Sequence, residues 1–154
     1  MITIRSFLFT TLIIGSLITA QAQIHIVDEV KKEIFQSGKN TVYNIGSSIL
    51  TDGQIKLHYR SSVEDDKRYA EIYVKNEDDF NVLYDIVIDV FDKKPELPIK
   101  IDLGDSYLRL YYTGMLFGYE YVSFGHAYKS SPYDEIRSQR INLKDIKKLF
   151  GKTE

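Results

Sequence analysis

The chain contains no cysteine and no tryptophan, and only three of its 154 residues are histidine. Without cysteine it can form no disulfide framework, no thiol nucleophile and no thiolate metal site. None of the common catalytic, nucleotide-binding or calcium-binding patterns occurs, and there is no Asn-x-Ser/Thr glycosylation site. The sequence therefore predicts no metal and no cofactor, and it assigns no enzymatic reaction.

The chain also lacks a large excess of charge of either sign. Its 20 basic and 22 acidic residues give a formal net charge of −2, which becomes −3 with 19 basic residues once Arg5 is removed. Nucleic acids and anionic membrane surfaces select a strong basic excess. We therefore expect neither of them as the main partner.

Residues 1–22 have the organisation of a secretory signal peptide. Met1–Arg5 carries one positive charge, Phe7–Ile18 is an almost unbroken apolar run, and Ala20–Ala22 has the small-x-small form that signal peptidase cleaves. The apolar run is too short for a comfortable membrane span. We expect cleavage after this segment and a single domain over residues 23–154.

The expected mature chain has 132 residues, which is enough for one domain with a hydrophobic core but too few for two. No cysteine follows the cleavage site to carry a lipid, so no stable membrane anchor is expected. Export without disulfides or glycosylation sites favours a bacterial protein that is periplasmic or secreted.

The strongest secondary-structure signal is a helix over residues 77–92. Asn76 is a preferred N-cap residue, acidic side chains fill the first turn, and Lys93 and Lys94 precede Pro95 at the end. Apolar side chains recur at helical spacing on one face, which a sheet must cover. That face consists of Phe80, Leu83, Tyr84, Val87, Ile88 and Phe91.

Two further helices are predicted from apolar spacing. Residues 27–36 carry an apolar stripe that ends before Gly38, and residues 142–150 carry another that ends before Gly151. Glycine is the preferred residue just past a helix end, because it adopts positive φ without strain. The inward residues of the last helix are predicted to be Leu143, Ile146 and Phe150.

The rest of the chain alternates with a period of two, which indicates strands. Short turns at Asp52-Gly53, Gly104-Asp105 and Thr113-Gly114 would join neighbouring strands, and such turns make the neighbours antiparallel. The predicted strands cover residues 55–60, 70–75, 99–103, 107–112 and 117–128.

These elements predict an α+β fold. We expect an antiparallel sheet of about five to six strands in hairpins and meanders, with helices packed on one face and a short C-terminal helix. The element order also allows a helix-plus-three-strand unit repeated twice, although no residue-level similarity joins the two halves.

Few residues offer chemistry. His126 lies near the end of the longest strand and is the best catalytic candidate among the histidines, although a lone strand histidine is usually structural. Asp85, Asp89 and Asp92 lie along one face of the 77–92 helix, where they would accept a hard cation or a basic partner. The simpler interpretation is that these aspartates form the solvated face of an amphipathic helix.

Tyrosine is the unusual feature of the composition, since more than half of the twelve tyrosines lie between Tyr107 and Tyr133. Tyrosine offers a large rigid contact area with a polar tip, which suits recognition of proteins or sugars, although the missing tryptophan weakens the sugar interpretation. The long connection over residues 129–141 adds arginines. The predicted binding residues are Tyr107, Arg109, Tyr111, Tyr133, Arg137 and Arg140.

Composition and pattern together favour a small exported, non-enzymatic domain that binds another protein, such as an inhibitor, an immunity-type protein or an envelope accessory factor. Two alternatives remain open. One is a small hydrolase of an envelope polymer, with His126 and a nearby carboxylate as acid and base. The other is a carrier that binds a small ligand between helix and sheet.

Overall fold

The computed structural model describes residues 29–38, 44–116 and 118–152. The predicted signal peptide over residues 1–22 lies outside the described residues. Within them the chain forms two antiparallel sheets and two helices, so the α+β prediction is confirmed.

The first sheet is a meander in which each strand pairs with its neighbours in the chain. It comprises β1 (Val30–Ser37), β2 (Ile45–Leu50), β3 (Ile55–Arg60) and β4 (Tyr69–Val74). The predicted Asp52-Gly53 turn joins the second and third strands, and Gly53 has a φ of 87°. Alternate side chains of β3 and β4 are buried, as expected for a sheet with one face on the core.

The second sheet follows the long helix and pairs its strands in the order β5 (Ile99–Asp102), β6 (Ser106–Leu116), β7 (Tyr119–Tyr128) and β8 (Ile136–Arg137), with β9 (Ile141–Asn142) also paired to β7. The predicted Gly104-Asp105 turn joins its first two strands. The chain closes with a short helix. The two helices are α1 (Glu77–Lys93) and α2 (Leu143–Leu149).

Both helices begin at asparagine caps. The Asn76 side-chain oxygen accepts a hydrogen bond from the Asp79 backbone N–H at 2.8 Å, and Asn142 accepts one from Asp145 at 2.9 Å. Such caps satisfy backbone donors that have no partner inside the helix. The long helix ends at Lys94 in the left-handed conformation, immediately before Pro95.

One continuous hydrophobic core joins the two sheets and both helices. The long helix packs against β4, β6 and β7, and the short helix packs against β1, β7 and β9. Phe150 stacks on Phe80 with ring centroids 4.5 Å apart, which holds the C-terminal end of α2 against α1. Tyr59 links the sheets, because its ring lies against Phe124 and its hydroxyl donates to the Ile136 carbonyl oxygen at 3.1 Å.

The predicted helix over residues 27–36 is wrong in its described part, because residues 30–37 form β1 on the edge of the first sheet. The register against β2 shifts between Val30 and Lys32 and again between Glu33 and Phe35. Each shift inserts a residue that breaks the alternation of two, so the apolar side chains acquire a spacing that resembles a helix. Without this helix, the predicted helix-plus-three-strand repeat is also wrong.

Three smaller predictions need correction. The strands form two sheets instead of one. Thr113-Gly114 is not a turn, because β6 continues to Leu116 and the chain reverses before Tyr119, with Gly118 at a φ of 83°. Leu143 is 39% exposed at the start of α2, so it does not point into the core as Ile146 and Phe150 do.

Candidate functional site

The outer face of the second sheet carries the predicted tyrosine and arginine side chains. Leu108 and Leu110 of β6 are buried in the core, so Arg109 and Tyr111 point to the opposite face. Arg109 pairs across the ladder with Gly125 of β7, and Gly125 pairs on its other side with Arg137 of β8. A glycine therefore lies between two arginines in one row across three strands.

The missing side chain of Gly125 makes room for a carboxylate. The chain after β7 folds back over the sheet and places Glu135 directly above this glycine. A Cβ atom on Gly125 would lie 2.5 Å from the Glu135 carboxyl carbon, which is closer than any ordinary contact. Glycine inside a strand commonly marks such a close approach.

Three side chains donate hydrogen bonds to this carboxylate. Arg109 Nη1 lies 2.7 Å from Glu135 Oε2, and Arg137 Nη2 lies 3.1 Å from Oε1. The Tyr111 hydroxyl donates a hydrogen bond to Glu135 Oε1 at 2.9 Å. The Tyr111 ring also packs against the Arg137 guanidinium, whose Cζ atom lies 3.6 Å from the ring centroid. We call Arg109, Tyr111, Glu135 and Arg137 the Glu135 cluster.

The electrostatics of the Glu135 cluster keep its carboxylate charged. Burial by itself would raise the pKa of Glu135, but the hydrogen bonds from Arg109, Tyr111 and Arg137 outweigh it and lower the pKa. Partial burial raises the pKa of Tyr111, and its hydrogen bond to the carboxylate raises it further. Two guanidinium groups thus face one carboxylate, which leaves the cluster with an excess of one positive charge.

A polar cleft of about 330 Å³ opens beside the cluster. Tyr111 and Arg137 form one wall, and Arg140 adds a further exposed positive charge. The connection between β3 and β4 borders the cleft, and its Ser62 N–H donates to the Arg137 carbonyl oxygen at 2.7 Å. Its other lining residues are Ser62, Thr113, Ser123, Ser138 and Gln139.

The structure brings together four of the six predicted binding residues. Arg109, Tyr111 and Arg137 belong to the Glu135 cluster, and Arg140 lines the cleft beside it. Tyr107 lies two residues before Arg109 on the same face of β6, with the Lys100 ammonium 3.4 Å from its ring centroid. Tyr133 is 100% exposed on the loop that leads to Glu135.

Sequence reasoning missed Glu135 and Gly125, which organise the site. The alternation along β6 predicts the direction of Arg109 and Tyr111, but the carboxylate arrives from a loop whose course depends on distant contacts. One of these contacts is the ion pair between Asp134 and Arg68, with 2.6 Å between Oδ1 and Nη1. The available signal was Gly125 itself, because an isolated glycine in a long strand indicates close approach of another group.

The other candidate residues lie away from this cleft. His126 is only 4% exposed, and burial lowers its pKa, while the charge of Asp105 acts in the opposite direction. Asp85, Asp89 and Asp92 are exposed on α1, and Asp89 pairs with Lys93 one turn later. In the part of the chain that the structure describes, no group of three or more acidic or histidine side chains is arranged to hold a metal ion.

Comparisons with family models, curated proteins and solved structures find no significant match to this chain. Among the described residues, neither helix is long and apolar enough to cross a membrane.

Proposed function

We propose that this chain is a small exported, non-enzymatic domain that docks on another protein through the outer face of its second sheet and the 129–141 loop. The observation that supports this most directly is the Glu135 cluster. It orders two arginines and a tyrosine on a partly exposed surface before any partner arrives. Ordered arginine and tyrosine side chains are the residues that most often dominate binding energy at protein interfaces.

The charge of this surface indicates the chemistry of the partner. The cluster has one uncompensated positive charge, and Arg140 adds a second at the mouth of the cleft. The cleft is also rich in hydroxyl and amide groups, which suit a hydrated, charged side chain better than an aliphatic one. An acidic side chain of the partner is therefore the group expected to enter the cleft.

The geometry favours binding over hydrolysis. Glu135 already accepts hydrogen bonds from three side chains and has a lowered pKa, so it is a poor general acid and a poor base at this surface. His126 pairs with the inward-facing Leu108 and is buried on the opposite face of the sheet. Support for export comes from the sequence of residues 1–22 alone.

Affinity capture from the native host tests the proposal. The chain with a C-terminal tag is recovered from envelope and medium fractions, and its N-terminal mass is measured. We expect a chain that begins at Gln23 and an acidic partner in stoichiometric amount. The partner should be lost when Arg140→Glu and Tyr133→Ala are combined, because the double variant reverses one charge and removes one aromatic ring of the proposed interface. Both side chains are exposed, so the fold should remain unchanged.

Lys75→Glu is the matched control, since it reverses an exposed charge at the end of β4 on the other sheet. It should retain the partner. Equal capture by the double variant would place the interface elsewhere. A folded bait that captures nothing would argue against a protein-binding role.

A further inference from the structure

A second polar cavity, of about 460 Å³, lies on the outer face of the first sheet. Strand β2 contributes the small residues Ser47 and Ser48 to its lining. Gly46 of the same strand lies beneath the side chains of Gln36 and His58. Long polar side chains of the flanking strands rise on both sides of this strand. The walls include Glu33, Gln36, Asn44, Lys56, Tyr69 and Glu71.

The strand register explains why these side chains meet. Gln36 of β1, Gly46 of β2, His58 of β3 and Glu71 of β4 form one row across the sheet. Gln36 and His58 meet above the glycine, where a Cβ atom would lie 2.5 Å from Gln36 Oε1 and 2.7 Å from the His58 ring. The glycine is therefore required for the two side chains to close one end of the cavity.

A directed chain of hydrogen bonds runs along this end. Gln36 Nε2 donates to Asn44 Oδ1 at 2.6 Å, so its oxygen faces His58 Nε2 at 3.0 Å, and that nitrogen must carry the hydrogen. Asn44 Nδ2 lies 3.4 Å from the Tyr69 hydroxyl oxygen and donates to it. Tyr69 therefore retains its own hydrogen for donation toward the cavity.

The surroundings of His58, where this run of hydrogen bonds starts, favour the neutral imidazole. Burial and the charge of Lys56 lower the pKa of His58, and Glu71 and Glu33 only partly oppose them. His58 Nδ1 is enclosed and has no hydrogen-bond partner among the described residues. A buried acceptor without a partner is uncommon and disfavours a charged ring, which would place an unsatisfied N–H there.

The chemistry of the walls selects the class of ligand. Two carboxylates and one ammonium give the cavity a net charge of −1, which disfavours anions. Nearly every lining residue has a hydrogen-bonding side chain, so an apolar ligand would leave donors and acceptors without partners. Lys56 and Glu71 already form an ion pair, with 3.8 Å between Nζ and Oε1. A hydroxyl group both donates and accepts, so it suits the carboxylate and amide groups of the walls alike.

We propose that this cavity binds one or two units of a neutral saccharide. The sugar hydroxyls bond to Glu33, Glu71 and Asn44, and the half-exposed ring of Tyr69, at 46% exposure, supplies the aromatic face that the absence of tryptophan leaves to tyrosine. This site lies on a different sheet from the Glu135 cluster. It is therefore independent of the proposed protein interface.

Amide chemical shifts of the full chain test this inference. The ¹⁵N-labelled protein is titrated to about 50 mM with glucose, galactose, N-acetylglucosamine and cellobiose, in the range where millimolar affinities saturate. We expect at least one of these sugars to shift amides of β1–β4 in a saturable way. Glu33→Gln and Asn44→Ala should each weaken that binding about tenfold, the effect of one lost hydrogen bond.

Glu96→Gln is the control, because this exposed carboxylate lies in the loop after α1, away from the cavity. It should bind the sugar as the parent chain does. The absence of saturable shifts with all four sugars would overturn the inference. So would shifts that Glu33→Gln leaves unchanged, or tighter binding of putrescine, which would make the cavity an amine site. Glu33 is exposed, so its variant is expected to fold.

Discussion

At the scale of single residues, the Glu135 cluster on the second sheet depends on two residues that are ten positions apart in the chain. Gly125 has no side chain, and Glu135 occupies the space that a side chain would fill. Two arginines then neutralise a carboxylate that is only partly exposed. A buried charge is tolerated when it is paired and hydrogen-bonded in this way, and it becomes costly when a partner is removed.

Gly125→Ala should therefore destabilise the chain by about 1–3 kcal/mol, because the new methyl group displaces the Glu135 carboxylate from its donors. Urea unfolding followed by circular dichroism measures the change. Gly114→Ala is the matched control in β6, since its Cβ atom would meet nothing within 4 Å, and we expect a change within about 0.5 kcal/mol. Equal effects of the two substitutions would contradict the role given to Gly125.

Histidine protonation should make stability fall in mild acid. The pKa of His58 and that of His126 are both lowered in the folded chain, mainly by burial. As pH falls through the usual value of 6.5, the unfolded chain binds protons that the folded chain does not yet bind. The contribution of these two histidines to the free energy of unfolding is therefore complete above pH 6.5 and decreases below it.

Urea titrations at about pH 7.5 and pH 5.5 measure this dependence. His58→Gln should show a smaller loss than the parent chain over the same interval, since it removes one of the two groups. A parent chain that becomes more stable toward pH 5.5 would contradict the assignment of a neutral His58.

At the scale of elements, the long helix could be predicted and the first strand could not. The signals for α1 lie within it or at its ends: the Asn76 cap, the acidic first turn and an unbroken apolar face. The signals for β1 depend on where β2 places its hydrogen bonds, and two register shifts in eight residues remove the alternation that identifies a strand.

The candidate site shows the same contrast between residues with a local sequence signal and residues without one. Alternation gives Arg109 and Tyr111, whereas Glu135 reaches them through a loop whose path has no local signal.

The Asn76 cap offers a clean test at this scale. Asn76→Ala removes the acceptor for the Asp79 N–H and should cost about 1 kcal/mol of stability. Asn76→Asp keeps an acceptor oxygen in the same place and should remain close to the parent chain, because aspartate is an equally preferred cap. Thermal or urea unfolding compares the three chains. A loss in the aspartate variant as large as that in the alanine variant would show that the cap hydrogen bond is not the stabilising contact.

At the scale of the whole molecule, two sheets share one core, and Tyr59 is the side chain that joins them most directly. Its ring is fully buried, and its hydroxyl bonds the backbone of β8 in the second sheet. Burial is also the main reason that its pKa is raised well above 10. The two sheets should therefore unfold together as one cooperative unit.

Tyr59→Phe should lower the stability of the chain by about 1–2 kcal/mol, because the Ile136 carbonyl loses its donor while the packing against Phe124 is kept. Tyr128→Phe is the control at an exposed tyrosine and should change little. Each variant is unfolded while far-ultraviolet circular dichroism and tyrosine fluorescence are recorded. Within any one variant, the two signals should give the same unfolding midpoint. Separate midpoints for the two signals would mean that the sheets unfold independently.

The meander of the first sheet has a consequence for the order in which the chain folds. Its strands pair only with sequence neighbours, so these hairpins close short loops and form early. Its apolar face is completed by α2, and the Ser47 hydroxyl donates to the Leu149 carbonyl oxygen across 102 positions. These are contacts of high sequence separation, and such contacts form late. The first sheet therefore stays incomplete until α2 packs against it.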